Sequence, residues 1–421
     1  MNYGTQIMPG VTLCCHRDSR FKQGLLALSL VRPMAREEAA MNALIPAVLF
    51  RGTRKHPDIR SITLHLDDLY GATVGTQVRR IGDYQLTGFY CAFLEDRFAL
   101  NNDRILAPMV DFLGEILLDP VTEAGIFSDA AFEGERTNLI SVIESDLNNK
   151  GAYAMNQMLR SMCRADSFGV ARLGEKEEVA ALSNAETFRH YQKILRESPI
   201  LITYVGSAPE ETVAELVTAM LQPLDRNPLP LAEQTGFHDS GKADLTERMD
   251  VTQGKLCLGY TTPLTCRSRG FVPMQLFNTI FGGGMTSKLF VNIREKQSLC
   301  YSIGSSYVSS KGLVTVSAGI DFADEEKTRS GIQRQLEAMQ QADITDEELN
   351  AAKQAILSSL RATYDSAGSI HSYFTSTALT GMDLTVEEYM EAVRRTTREE
   401  VAEAARTVEL HTTYFLKGVT E

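Results

Sequence analysis

Residues Phe281–Tyr307, FGGGMTSKLFVNIREKQSLCYSIGSSY, are the stretch whose reading decides the fold. Gly282, Gly283 and Gly284 make a flexible turn whose backbone can approach another chain closely. A short helix is expected next, with Leu289, Phe290 and Ile293 as its apolar face and Arg294 opening an Arg-Glu-Lys run. Leu299 to Tyr307 alternates like a strand. A glycine turn, a helix end bearing Arg and a strand start bearing Tyr301 would suit holding an extended peptide. On spacing alone the bland reading is a solvated Arg294, a half-buried strand tyrosine and a glycine loop with no ligand.

Working outward, the first half holds a complementary pattern. Phe50-Arg51-Gly52-Thr53 is preceded by Ala43-Leu44-Ile45-Pro46-Ala47, and a later helix reads Glu135-Arg136-Thr137-Asn138-Leu139-Ile140-Ser141-Val142-Ile143. Phe281–Tyr307 closely resembles the segment that carries a substrate-binding Arg and Tyr in insulinase/pitrilysin-type zinc metallopeptidases, and Arg294 and Tyr301 fall on those two positions. In active members an HxxEH helix leads into a Phe-(Lys/Arg)-Gly-Thr turn. Two His on successive helix turns bind zinc there, and the Glu between them activates water. Here both histidines are alanines, Ala43 and Ala47, and the glutamate is Pro46. Ser141 or Val142 stands where the third ligand would be. The resemblance therefore implies a peptidase framework with a degenerate metal position, no cofactor and no catalytic residues of its own.

Length and composition agree. A chain of 421 residues exceeds what one hydrophobic core usually supports, so at least two domains are expected. With 43% apolar and 23% charged residues it reads as an ordinary globular protein. The net charge of −12 argues against a nucleic-acid surface. Seven scattered cysteines do not form a disulfide framework, and the N-terminus lacks the basic-then-apolar pattern of a secretory signal. No apolar run is long enough to span a bilayer. The expectation is a cytoplasmic protein with no membrane partner.

The chain also repeats itself. A helix from Asn184 runs toward Arg196 and leads into the strand ILITYVG at 200–206; another begins at Thr397 and leads into HTTYFLKG at 411–418. Thr203-Tyr204 and Thr413-Tyr414 stand half a chain apart. Residues 221–250 hold three prolines and little periodicity, which suits a linker. The expected domains are 1–220 and 251–421, joined by 221–250. The fold class is α+β: two homologous α/β sandwich domains, each an antiparallel-rich sheet packed with helices and related by internal duplication, in the family's half-clamshell. Strands are expected near Leu25–Val31, Val74–Arg80, Tyr84–Phe93, Lys255–Tyr260 and Leu313–Ile320. The clearest helix starts at Thr345, with Glu348 closing a capping box.

Other chemistry is thin. Cys14-Cys15-His16 lies on a probable strand whose neighbours point to opposite faces, and His65 with Asp68 reads as a surface pair. No nucleophile elbow, P-loop or dinucleotide fingerprint is present. In the small-subunit branch of the resembled family, two subunits close around a chamber, one bringing zinc and its partner the Arg and Tyr. The resemblance implies a non-catalytic, substrate-binding or regulatory subunit that supplies Arg294 and Tyr301, with Gly282–Gly284, to an HxxEH-bearing partner. A homodimer and a purely structural scaffold derived from the same fold are the alternatives.

Overall fold

In the computed structural model, which describes residues 4–231 and 233–419, the apolar runs become two separate sheets. In chain order the main elements begin with β1 (Thr5–Met8), β2 (Val11–Arg17), β3 (Gln23–Pro33), α1 (Arg36–Leu49), α2 (Ile59–Asp68), β4 (Thr73–Ile81) and β5 (Tyr84–Leu94). Then come α3 (Leu106–Leu118), α4 (Asp129–Ser145), α5 (Lys150–Met162), α6 (Asn184–Glu197), β6 (Ile200–Gly206) and α7 (Glu210–Leu221). They are followed by β7 (Ala243–Met249), β8 (Gly254–Thr261), α8 (Phe271–Phe281), β9 (Ser302–Val308) and β10 (Leu313–Ile320). The chain ends with α9 (Glu325–Gln340), α10 (Asp346–Ala362), α11 (Ala367–Thr380), α12 (Val386–Arg395), α13 (Arg398–Arg406) and β11 (Glu409–Gly418).

The two sheets share one connectivity. The first has the order β1-β2-β6-β3-β5-β4 and the second β9-β10-β8-β11-β7. Read from the other end, the second is β7-β11-β8-β10-β9. Setting aside the sixth strand β1, which pairs antiparallel with β2 at the edge of the first sheet, the first of five strands in each sheet runs parallel to the second, and all later neighbours are antiparallel. The repeated Thr-Tyr pair sits at matching places: Tyr204 is opposite Cys15 and Leu26, and Tyr414 opposite Leu245 and Cys257. The fold is a mixed α/β one with antiparallel-rich sheets.

The chain forms two compact units, each discontinuous in sequence. The first comprises Met1–Glu144, Val170–Glu233 and Thr363–Leu379; the second comprises Ser145–Gly169, Gln234–Ala362 and Thr380–Glu421. Strand β7 lies inside the stretch 221–250 read above as linker. As an edge strand with mostly solvent-facing, charged side chains, ADLTERM carries no burial pattern to announce it. By contrast every residue of β6 is buried, because a strand covered on both faces reads as a continuous apolar run.

In the first unit, Leu26, Leu28 and Leu30 of β3 pack with Leu44 and Val48 of α1, Met109 and Leu113 of α3, and Val217 of α7. The alternate residues Leu25 and Ala27 meet Ile370 of α11 on the opposite face. In the second unit, Asn149 caps α5 by accepting from the Ala152 amide at 3.1 Å. Ala154, Met158 and Met162, four residues apart, lay one stripe on Cys257, Tyr414 and Leu416. Gly259 permits this approach, since a Cβ there would come within 2.7 Å of the Met158 and Met162 sulfurs. The capping box at Thr345 forms as expected, with the Thr345 amide donating to Glu348 Oε2 at 2.8 Å.

A buried ion pair ties three segments of the second unit. Lys311 Nζ lies 2.9 Å from Asp166 Oδ1, and both side chains are fully excluded from solvent. Asp166 also accepts from the amides of Phe168 at 2.8 Å and His238 at 3.0 Å. Burial pushes its carboxyl up, but those amides and the Lys311 ammonium outweigh it and hold it below its ordinary range.

Candidate functional site

The Phe281–Tyr307 segment begins where α8 ends. Phe277 and Phe281 stack at 5.2 Å, one turn apart. Gly282 follows with φ −150°, so left-handed backbone is not the reason for glycine there. Space is: a Cβ would come 2.6 Å from Ser305 Oγ and 2.7 Å from its nitrogen, while the Ser305 amide donates to Gly282 O at 2.9 Å. At Gly283 a Cβ would sit 2.8 Å from Thr279 Cα, whereas Gly284 faces open space. The expected flexible turn is thus a close approach to β9 of the same unit at Gly282 and to the end of α8 at Gly283.

The short helix then contains a π-helical turn, Phe290–Glu295, with the Lys296 amide reaching back to Val291 O at 3.0 Å. Such turns are frequent at functional sites because the extra residue re-aims side chains. Leu289 and Ile293 are buried as expected, and Asn292 Nδ2 donates to Gln335 Oε1 at 2.7 Å. Ser298, at φ +52°, reverses the chain so that Tyr301 returns alongside Arg294. Arg294 Nε donates to Tyr301 O at 2.9 Å, and its guanidinium lies 4.5 Å from the Phe290 ring centre. Among the described residues the Arg294 Nη groups have no partner. Tyr301 is 61% exposed and donates its hydroxyl to Asp321 Oδ1 at 3.1 Å. That bond raises the phenol's pKa and keeps the proton on oxygen. Arg294, Cys300, Tyr301 and Asp321 line one cleft of about 320 Å³. Burial pushes the Cys300 thiol up to about 11, so it is no nucleophile at neutral pH.

Asp321 escaped the sequence reading because only the pairing of β9 with β10 brings it to Tyr301. The Tyr301 amide donates to Gly319 O at 2.8 Å, two residues before Asp321.

In the first unit, Ala43, Pro46 and Ala47 stand on α1, with Ala43 and Pro46 buried. Pro46 lacks the amide that would bond Asn42 O four residues back. Thr87 Oγ1 donates to that carbonyl instead, at 2.6 Å. Asn42 gives its Nδ2 to Gln85 Oε1 at 2.8 Å, so its Oδ1 accepts from His190 Nε2 at 2.7 Å. Burial lowers His190 to about 4, keeping the ring neutral. This polar set is satisfied inside the fold. The Phe50–Thr53 turn is tight: the Thr53 amide donates to His56 O at 2.8 Å, and Arg51 pairs with Glu135 of α4. On α4, Val142 is half-exposed and Ser141 Oγ donates within the helix to Thr137 O at 3.0 Å. Alanine and proline side chains offer no lone pair, so these positions do not fit a zinc site. Among the described residues, no cluster of three or more His, Cys, Asp and Glu is placed to hold a metal.

The weaker candidates resolve into packing. Burial pushes the Cys14 thiol up to about 12 and the Cys15 thiol to about 11, and His16 stacks on Tyr364 at 5.8 Å. His65 lies against His56 at 4.5 Å and Phe112 at 4.8 Å.

The sheet topology is used twice, and α1 carries no metal-donating side chain at Ala43, Pro46 or Ala47. The chain is similar to inactive-type homologues of the M16 peptidases, the pitrilysin-like family. Residues 182–356 match the family model described as the peptidase M16 inactive domain. Over 409 residues the chain is 26% identical to a probable inactive metalloprotease of Bacillus subtilis, YmfF, covering 97% of this chain and 96% of that one. A crystal structure of a conserved protein from Enterococcus faecalis superposes with a TM-score of 0.92 at 27% identity, covering 99% and 98% of the two chains. A peptidase M16 inactive domain from Pseudomonas fluorescens shares the fold with a TM-score of 0.83 at 17% identity, over 100% and 98%. Among the described residues no helix is long and apolar enough to cross a membrane.

Proposed function

We propose that this chain is a non-catalytic, substrate-binding or regulatory subunit of a heterodimeric zinc metallopeptidase of the cytoplasm, and that Arg294 and Tyr301 complete the active site of an HxxEH-bearing partner. The observation that carries the reading is the bond from Arg294 Nε to Tyr301 O, which fixes both residues on one open cleft. The Arg294 Nη groups would give charge-assisted hydrogen bonds to a peptide carbonyl. Tyr301, on leaving Asp321, would donate to the oxyanion formed at the scissile carbon. That exchange is cheap at an exposed site, where a hydrogen bond contributes about 1 kcal/mol. Gly282 would act by letting the segment pack against β9, Gly283 by letting it close over the end of α8, and Gly284 by leaving room for the peptide. The partner would bring the metal. The division into domains 1–220 and 251–421 joined by 221–250, as successive copies of one ancestral unit, belongs to the same proposal.

Tagged purification from the native host with mass spectrometry tests the assembly. An HxxEH homologue in stoichiometric amount is expected. A homodimer without such a companion would favour the scaffold role. Within the pair, Arg294→Ala or Tyr301→Phe should lower peptide turnover by roughly 10²–10³, the usual loss for one oxyanion donor, with assembly intact. Unchanged hydrolysis by both variants would refute the site.

A further inference from the structure

A second cleft of the same unit, about 890 Å³, opens where α5 begins and β8 begins. Lys150, Gly151, Asp250, Gln253 and Lys255 are among its lining residues. Its two ammonium groups lack carboxylate partners among the described residues. Lys150 Nζ rests 3.1 Å from the Met249 thioether, and Lys255 Nζ on the Gln253 side-chain oxygen. Both are weak partners for a full charge, and burial lowers the Lys255 pKa, as expected of an ammonium short of counter-charge. The amide end of α5 opens on the same cleft and adds partial positive charge. Asp250 is the one acidic group lining it, so the local balance favours a single negative charge rather than a polyanion.

The register of the sheet connects this cleft to Tyr301. Lys255 of β8 is opposite Gly319 of β10, and Gly319 is opposite Ser302 of β9, the residue after Tyr301. Two strand spacings separate the ends of this row, about 10 Å. The middle position has no side chain. A Cβ at Gly319 would come 2.9 Å from Ser302 Oγ and 3.1 Å from Gln253 Oε1, so the neighbours already reach over it from both sides. The middle of this row is therefore backbone flanked by the Ser302 and Gln253 side chains, which suits an extended peptide crossing the strands there.

We propose that the Lys150–Lys255 cleft binds a carboxylate of the peptide held at Arg294 and Tyr301, about 10 Å from Tyr301 across Gly319. The proposal rests on the peptide-binding reading given above and deepens it: the substrate class becomes peptides with an acidic side chain or a free C-terminus at that spacing. A carboxylate there would accept from both ammonium groups and restore the counter-charge that Lys255 lacks.

The test uses the full-length protein and fluorescein-labelled nonapeptides of Ala and Ser with one Glu at the third, fifth or seventh position, each matched by a Gln version. Every peptide is made with a free and an amidated C-terminus, and binding is read by fluorescence anisotropy at low salt. At one spacing the Glu peptide, or the free-acid form, should bind about tenfold tighter than its neutral match, the gain of a charge-assisted hydrogen bond. The two chemical forms separate a side-chain source from a terminal one. Lys150→Met/Lys255→Met should abolish the preference while leaving the neutral peptide's affinity unchanged. Arg294→Ala should weaken both peptides equally and keep the preference. If peptides bind with no acidic preference in the wild type, the inference falls and the Arg294–Tyr301 reading stands. If no peptide binds, tri-glutamate is titrated alone. Binding that is lost in the double variant upholds a carboxylate site and removes the Arg294–Tyr301 reading, whereas no binding overturns both.

Discussion

The Lys311–Asp166 pair offers the sharpest test of what holds the second unit together. Lys311→Met keeps most of the side-chain volume and removes the charge. Asp166 then keeps the amides of Phe168 and His238 and loses its ammonium 2.9 Å away. Breaking a buried ion pair from one side costs about 3–5 kcal/mol. The two retained amides place Lys311→Met near the lower end, about 3 kcal/mol. Asp166→Asn should cost about 4 kcal/mol, because the ammonium, which also donates to Thr235 O and Oγ1 at 3.3 Å, loses its carboxylate. If the cost of each single change is mainly the stranded charge, the double variant should fall short of the sum by about 2 kcal/mol. The chain has no tryptophan, so urea unfolding is best followed by far-ultraviolet circular dichroism and tyrosine fluorescence together. Separate transitions of the two probes would assign the loss to one unit. Additivity within about 0.5 kcal/mol, or a Lys311→Met cost below about 1 kcal/mol, would refute the stranded-charge account.

Three further outcomes follow from individual contacts. Thr87→Val should destabilise the first unit by about 1–3 kcal/mol in urea melts, because Asn42 O, deprived of a helical donor by Pro46, would lose its hydroxyl; an unchanged midpoint would show another donor there. Gly282→Ala should cost about 1–3 kcal/mol in the same assay through its clash with Ser305, while Gly284→Ala should be nearly silent; equal effects would contradict the packing role. His190, lowered to about 4 by burial, stays neutral while an unfolded histidine protonates near pH 6.5. The stability it lends above pH 6.5 is therefore lost as pH falls toward 4, by on the order of 3 kcal/mol at about 1.4 per unit. His190→Gln should flatten that part of a thermal-melt profile against pH, and an unaltered slope would assign the loss to other groups.

Several elements were legible locally. Thr345 and Glu348 announced α10 because a capping box is complete within four residues. ILITYVG announced a buried strand because burial on both faces leaves no polar alternation. Strand β7 was missed for the converse reason: an exposed, charged edge has the composition of a linker. The glycine at 282 was noticed, but its reason was not, since no sequence spacing reveals that Ser305 lies against it.

By itself the sequence determined that Ala43, Pro46 and Ala47 carry no metal-donating side chain, and it raised the expectations of a two-fold repeat and of a peptide-holding role for Phe281–Tyr307, because each is written in side-chain identity or local periodicity. Tertiary structure alone decided that Thr87 compensates Pro46, that Asp321 accepts a hydrogen bond from the Tyr301 hydroxyl, and that Lys255, Gly319 and Ser302 form one row. These depend on strand register between residues far apart in the chain. A shift of one residue would turn every such side chain to the other face.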